Sequence, residues 1–506
     1  MHRVEERKAY VWGVVVVVVW LAAVSCPADG AILPGVRTLS PHGEATTHQS
    51  APGLPPPPTY RTLYFDQTLD HFNFATQPAT YKQRFLLADE YWRGSYPGGC
   101  PGPIFFYTGN EAPVTDYYSA SGFFTQVLAP KHNALLVFAE SMPFGSKSFD
   151  PEKISYLSPE QALADYAVLI THLKETLPHA RNCPVFAFGG SYGGILTAWF
   201  RMKYPDIVMG GLAASAPLSF YGTGISPYAF TNSASDTFAQ ARLGCAPLIA
   251  QAFETLQRFS ATPEGCERFA KAFKLCGPLN SQAEASAVVY WVEMGLASMA
   301  MLDYPFASNY GVSLPAWPVN KTCDRILEKA ANNNDPDILA EALGYAIGVF
   351  YNNTGDHSCY DIKRDVPEWE KCCGWDYLHC TEVYIPIGFS GFFPHATYNL
   401  TADIEQCRQK FGITLRPNWA RIQYGGFNIT SSSNIIFSNG LLDPWHSSGV
   451  LHSLSDSLIS IMIPEAGHHL DLWAPSPEDP IYIQRAREQE AVLIDKWLKE
   501  YWAKLL

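Results

Sequence analysis

Residues 184–202 constrain the fold of this chain more than any other stretch. A short apolar run, Pro184–Phe188, enters Gly189-Gly190-Ser191-Tyr192-Gly193, and Ile195–Met202 leaves it with the composition of a helix. A G-x-S-x-G pentapeptide between a strand and a helix puts the serine on a sharp turn at a sheet edge, with its hydroxyl exposed. A turn of this kind needs a parallel sheet, so other buried strands must exist. Ile104–Tyr107 and Ala134–Ala139 are such runs, bounded by Gly, Pro or Asn. Between Ala139 and Val185, Pro159–Leu177 carries Leu163, Tyr166, Ala167, Ile170 and Leu173 at helical spacing, which completes a βαβ unit. Asn434–Phe437 and Ser460–Ile463 read as two more buried strands, and Ile483–Leu505 as a closing helix. Helical and irregular segments fill the space between. The expected class is α/β: one sheet domain split by a long, disulfide-stapled, largely helical insertion. Its parts are 61–218 and 420–506, with the cap insertion and return over 219–419.

The chain of 506 residues carries 35 Lys+Arg against 48 Asp+Glu, a net charge of −13, which excludes a nucleic-acid binder of the usual basic kind. With 47% hydrophobic and 16% charged residues it is also no disordered chain. Arg3, Arg7 and Lys8 precede an apolar run from Tyr10 to Val24, and small residues Ser25, Ala28, Gly30 and Ala31 follow. That order reads as a secretory signal peptide over 1–26. The competing reading, a membrane anchor, needs about 20 apolar residues, more than this run offers. No membrane association is expected after cleavage. Residues 27–60, rich in Pro, Ser, Thr and Gly, read as a flexible leader or propeptide without packed structure. Sequons at Asn320, Asn352, Asn399 and Asn428 fit the same secretory route. Without Cys26 eleven cysteines remain, nine of them between Cys245 and Cys407. Oxidising transit predicts disulfides there, with at least one thiol left over. The spacings lack the paired C-x₂₋₄-C elements of a structural zinc module.

A serine nucleophile needs a base, and the base needs an orienting carboxylate. On this fold they follow in the order Ser, Asp, His. Asp443 stands in Ser438-Asn439-Gly440-Leu441-Leu442-Asp443-Pro444-Trp445, directly after the Asn434–Phe437 strand. His468 and His469 follow the Ser460–Ile463 strand. Adjacent loop residues point apart, so only one histidine can reach Ser191, and spacing alone does not choose between them. Gly109-Asn110-Glu111, after the Ile104–Tyr107 strand, borders the oxyanion site, where backbone N–H groups of Gly109 and Asn110 would act with that of Tyr192. No H-E-x-x-H and no phosphate-binding glycine loop occurs, so neither a metal nor a cofactor is expected.

With these residues in hand, the chain resembles the serine carboxypeptidase family that contains lysosomal Pro-X carboxypeptidase and dipeptidyl peptidase II. The resemblance covers nearly all of residues 60–505. It rests on Gly189–Gly194, Ala198–Pro205, Ala213–Pro217, Cys380-Thr381-Glu382, Asn439-Gly440, Leu442–Trp445 and His468–Leu472. It implies an α/β-hydrolase fold with an inserted, disulfide-stapled, mainly helical cap domain, with Ser191 as nucleophile, Asp443 as orienting acid and His468 as base. It further implies peptide substrates with proline near a terminus, cleaved at acidic pH, in a lysosome, vacuole or the extracellular space. By the same resemblance Trp445 lines the pocket for the proline ring; Glu111, beside the oxyanion turn, is a second candidate substrate-binding residue. Asp303–Tyr310 and Leu314–Pro318 resemble the Pro-X branch more closely. A dipeptidyl peptidase II-like activity and a catalytically impaired hydrolase fold stay open as alternatives, as does the oligomeric state, a homodimer included. Three departures stand out. About six residues of the family's pattern are missing after Glu140, Ala112-Pro113 replaces a Gly and an acidic residue, and Leu378 stands where a Gln is usual.

Overall fold

A computed structural model of the chain describes residues 51–74, 79–143, 147–148, 150–221, 224–310, 312–362 and 373–506. The expected signal peptide and the first part of the leader lie outside the described residues. Eight strands form one sheet in the order β1-β2-β4-β3-β5-β6-β7-β8. They are β1 (Arg61–Thr68), β2 (Thr80–Ala88), β3 (Ile104–Thr108), β4 (Leu135–Ala139), β5 (Val185–Gly190), β6 (Gly210–Ala214), β7 (Ile435–Gly440) and β8 (Leu458–Ile463). β2 runs antiparallel to β1 and to β4, and every pairing from β4 through β8 is parallel. With its Ser-bearing turn after β5, this sheet is that of an α/β-hydrolase.

The central strands are buried along their whole length, because helices cover both faces of a parallel sheet. α1 (Pro159–Thr176) starts where Ser158 caps it, its hydroxyl accepting from the Gln161 N–H at 3.2 Å, with Pro159 in the first turn. Its inner face carries Asp165, whose carboxylate accepts from the Tyr81 hydroxyl at 2.7 Å and pairs with His71 Nε2 at 2.7 Å. Those bonds tie the antiparallel edge of the sheet to the helix layer. α2 (Tyr192–Lys203) follows β5, and α3 (Ile481–Ala503) closes the chain.

The chain divides into two compact units. The sheet unit comprises Gln49–Phe230, Cys372–Ile387 and Cys407–Leu506. The other, Thr231–Lys371 with Gly388–Gln406, is helical in its described residues. Disulfides Cys245–Cys323 and Cys276–Cys359 cross-link it, and its long helix Gln282–Met301 is apolar almost all round. This division departs from a single 219–419 insertion. Cys372–Ile387 stays with the sheet unit, because Cys380 is bonded to Cys407 and Asp376 pairs with Lys410 at 2.5 Å. A further disulfide, Cys100–Cys183, links the loops that lead into β3 and β5. Cys266 is the free and buried cysteine among the described residues. No helix there is long and apolar enough to cross a membrane.

The leader is a correction. Residues 51–60 are not an unpacked tail: the Ala51 N–H donates to the Pro475 carbonyl at 2.7 Å. The Gln126 amide donates to the Pro55 carbonyl and the Tyr118 hydroxyl to that of Pro58, each at 2.6 Å. Tyr60 packs edge-on against Tyr118 at 4.7 Å. Proline composition signalled looseness, but an extended Pro-rich segment exposes carbonyls that side-chain donors can take at little entropic cost.

Candidate active site

Ser191 sits where β5 turns into α2, with φ 56° and ψ −125°, a backbone strain that non-glycine residues accept only when the surroundings fix it. Close packing does the fixing. A Cβ on Gly189 would lie 2.2 Å from the Gly193 carbonyl oxygen, and one on Gly193 would lie 2.4 Å from Asn110 Oδ1. The Ser191 N–H donates to the Ala214 carbonyl at 2.9 Å, holding the turn against β6.

Asp443 and His468 leave the ends of β7 and β8. Because β5 to β8 are parallel, these loops and the Ser191 turn share one edge of the sheet. The loops are sewn together: the Leu442 N–H donates to the Ala466 carbonyl at 3.0 Å, and Gly440 passes so close that a Cβ would meet the Ala466 and Gly467 carbonyl oxygens at 2.5 Å. Fully buried Asp443 accepts from the Trp445 N–H at 3.0 Å through Oδ1. Its Oδ2 lies 2.6 Å from His468 Nδ1. The carboxylate therefore fixes the imidazole so that Nε2 is the nitrogen available for base chemistry. His469 points elsewhere. Its N–H donates to Ser215 Oγ at 2.8 Å, its φ is 39°, and its ring lies beneath Gly190, where a Cβ would come within 2.8 Å. Burial holds its pKa well below the usual histidine range, so it is a neutral packing group. Of the two histidines, it is His468 that meets Asp443.

Gly109 packs under β4, where a Cβ would lie 2.4 Å from the Ala139 carbonyl oxygen. The Asn110 amide donates to the Gly190 carbonyl at 2.6 Å and its Oδ1 accepts from the Tyr107 hydroxyl at 2.9 Å, so this side chain braces the serine turn. Glu111 follows, with Oε2 shut off from solvent and without a partner. Burial raises its pKa, while His468 and Asn110 act to lower it. Tyr192, the residue after the serine, packs edge-on against Trp375 at 5.6 Å. Trp445 is half-buried between Phe230 at 4.5 Å and Phe220 at 6.0 Å.

Directly after β4, Glu140 accepts from Arg84 through two guanidinium nitrogens and the Ser141 hydroxyl donates to the Asn110 carbonyl at 2.5 Å. Ser141 thus anchors the turn that carries Glu111. Leu378 is buried. Asn399 and Asn428 are exposed, whereas the Asn352 amide donates to the His357 carbonyl and Asn320 Oδ1 accepts from Arg242.

The profile of the serine carboxypeptidase S28 family matches residues 67–490. This chain belongs to that family. Lysosomal Pro-X carboxypeptidase of Homo sapiens is 39% identical over 93% of this chain and 95% of its own. The prolyl carboxy peptidase like protein 5 of Caenorhabditis elegans is 32% identical, covering 87% of this chain and 90% of its own. The thymus-specific serine protease of Mus musculus is 25% identical over 86% of this chain and 87% of its own. As an S28 member the chain is a serine-type peptidase. Sequence reasoning missed four parts of this site: the Asn110 brace, Ser215 beneath His469, and the rings of Trp375 and Phe230. Only Ser215 had a signal, within Ala213–Pro217.

Proposed function

We propose that this peptidase is an exopeptidase that releases the C-terminal residue from peptides ending in Pro-X, through an acyl-enzyme on Ser191. The observation that carries the reading is the 2.6 Å bond between Asp443 and His468, set on the same sheet edge as the strained Ser191 turn. Ser191 Oγ attacks the carbonyl after proline while His468 Nε2 takes its proton. Developing negative charge on the carbonyl oxygen is met by the Tyr192 N–H and by a backbone N–H of the Gly109–Asn110 turn. His468 then protonates the leaving amine, the C–N bond breaks, and the acyl group stays on Ser191. Water, deprotonated by the same histidine, attacks the ester and frees the shortened peptide. The Trp445 ring, held by Phe230 and Phe220, offers a flat apolar face to a rigid pyrrolidine.

An acidic lysosomal or secreted setting suits the molecule. Burial pushes Glu293 to about 8 and Asp303 and Glu382 to about 7. The folded chain keeps protons there that the unfolded chain gives up, so acid favours the fold.

The test uses two peptide sets, one blocked at the N-terminus and one at the C-terminus, across acidic to neutral pH. Cleavage of N-blocked Pro-X peptides, lost together with serine-directed phosphonate labelling in Ser191→Ala, is the expected result. Cleavage confined to free N-termini would replace this reading with a dipeptidyl peptidase. Labelling without any turnover would mark an impaired hydrolase.

A further inference from the structure

A peptidase that removes one C-terminal residue must recognise a free carboxylate on the leaving side of the scissile bond. Glu111 is an acidic side chain beside that chemistry that the triad does not use, and at first sight it has the wrong sign. It follows β3 directly, on the turn whose Asn110 amide is bonded to Gly190, one residue before Ser191. It is within electrostatic reach of His468. Its Oε2 is buried and takes no hydrogen bond, which for a carboxylate oxygen is a substantial cost unless a ligand or a proton relieves it. The turn is held on both sides, by Asn110 to β5 and by the Ser141 hydroxyl to the Asn110 carbonyl, so the group is positioned rather than loose.

We infer that Glu111 receives the substrate's C-terminal carboxylate in its neutral, protonated form, donating a hydrogen bond through the unpartnered Oε2. The assignment rests on the carboxypeptidase reading above. An ionised Glu111 would repel that carboxylate and attract an ammonium instead, so protonation decides which peptide end the site accepts. Four influences act on the proton: desolvation favours keeping it, while the residue's own N–H, His468 and the Asn110 amide favour losing it. Desolvation is the largest. A carboxylic acid donating to a carboxylate makes one of the short, strong hydrogen bonds, and no cation is needed at the subsite. Proton loss as pH rises switches the donor off and adds repulsion. Acid preference is thereby built into substrate binding as well as into stability.

The experiment compares N-blocked Pro-X peptides bearing a free C-terminal carboxylate with the same peptides as C-terminal amides. Native enzyme, Glu111→Gln and Glu111→Ala are assayed for kcat and KM from pH 4 to 8. Native enzyme should prefer the acid over the amide by about 10- to 100-fold, mainly in KM, with the preference fading as pH rises. Glu111→Gln, a permanent donor of the same shape, should keep the preference and carry it to higher pH. Glu111→Ala should cut the acid-to-amide ratio at least about tenfold. Phosphonate labelling of Ser191 in each variant reports an intact site. Unchanged ratios and pH profiles in both variants would overturn the assignment while leaving the carboxypeptidase reading in place. An equal loss on acid and amide in kcat would make Glu111 a support for His468 and would also overturn it. If the native enzyme cleaves no free-acid peptide, the carboxypeptidase reading itself fails, and Glu111 with it.

Discussion

Glu293 offers a direct measurement of how far this molecule is built for acid. It lies inside the helix Gln282–Met301, and burial alone raises its carboxyl from 4.5 to about 8. The folded state therefore binds the proton more tightly than the unfolded state. Its contribution to stability is fully present below about pH 4.5 and is lost as pH climbs toward 8. A rise of each unit in that window costs about 1.4 kcal/mol, so roughly 3 kcal/mol disappears between pH 5 and pH 7.5. In a unit of this size that is a fall in Tm on the order of 5–10 °C. Glu293→Gln keeps the shape and polarity but has no proton to lose. Calorimetry of native and variant chains across this range should show the unfolding transition of the helical unit dropping with pH in the native chain. In the variant that share of the drop should vanish, with the two chains close at pH 5. If the variant's Tm falls as steeply as the native one, Glu293 is solvated in the folded state and the reasoning is wrong.

Asp443→Asn should lower kcat by about 10³–10⁴-fold with KM little changed, because the amide no longer fixes His468 with Nε2 as acceptor; steady-state kinetics on a Pro-X peptide reads this. Gly193→Ala forces a methyl to within 2.4 Å of Asn110 Oδ1 and 2.8 Å of the Thr108 carbonyl oxygen, so phosphonate labelling of Ser191 should slow by about 100-fold or more and Tm should fall. Unchanged labelling would mean that the Asn110 brace is dispensable. Tyr118→Phe removes the bond to the Pro58 carbonyl and should cost about 1 kcal/mol in denaturant unfolding, with faster proteolysis within 51–60. Removing the Cys245–Cys323 bond, which spans 78 residues, should cost the helical unit about 4–5 kcal/mol in the chain-entropy account.

How much was legible follows from which forces act locally. β3, β4, β5, β7 and β8 and the helix Pro159–Thr176 were readable because each carries its own apolar pattern and its own terminators. β6, Gly210-Gly211-Leu212-Ala213-Ala214, was not: it has no β-branched or aromatic residue. Its composition answers to its neighbours. A Cβ on Gly210 would meet the Phe186 ring at 2.8 Å, and one on Gly211 would meet Thr197 Cγ2 at 2.7 Å. A strand selected for thinness leaves no periodic signature. Residues 51–60 misled for a related reason, since their carbonyls are held by donors on Tyr118 and Gln126, which are distant in sequence.

The sequence by itself determined the class of fold, the serine on its turn, and the order in which Asp443 and the histidine pair must follow, because strand, turn and helix signals are written in neighbouring residues. Only the tertiary structure decided which histidine meets Asp443, that Asn110 and Ser215 hold the loops in place, and that a partnerless carboxyl oxygen at Glu111 lies buried beside them. Those outcomes depend on parallel strands bringing the ends of β3, β5, β6, β7 and β8 to one edge, where residues up to hundreds of positions apart compete for the same hydrogen bonds and the same space.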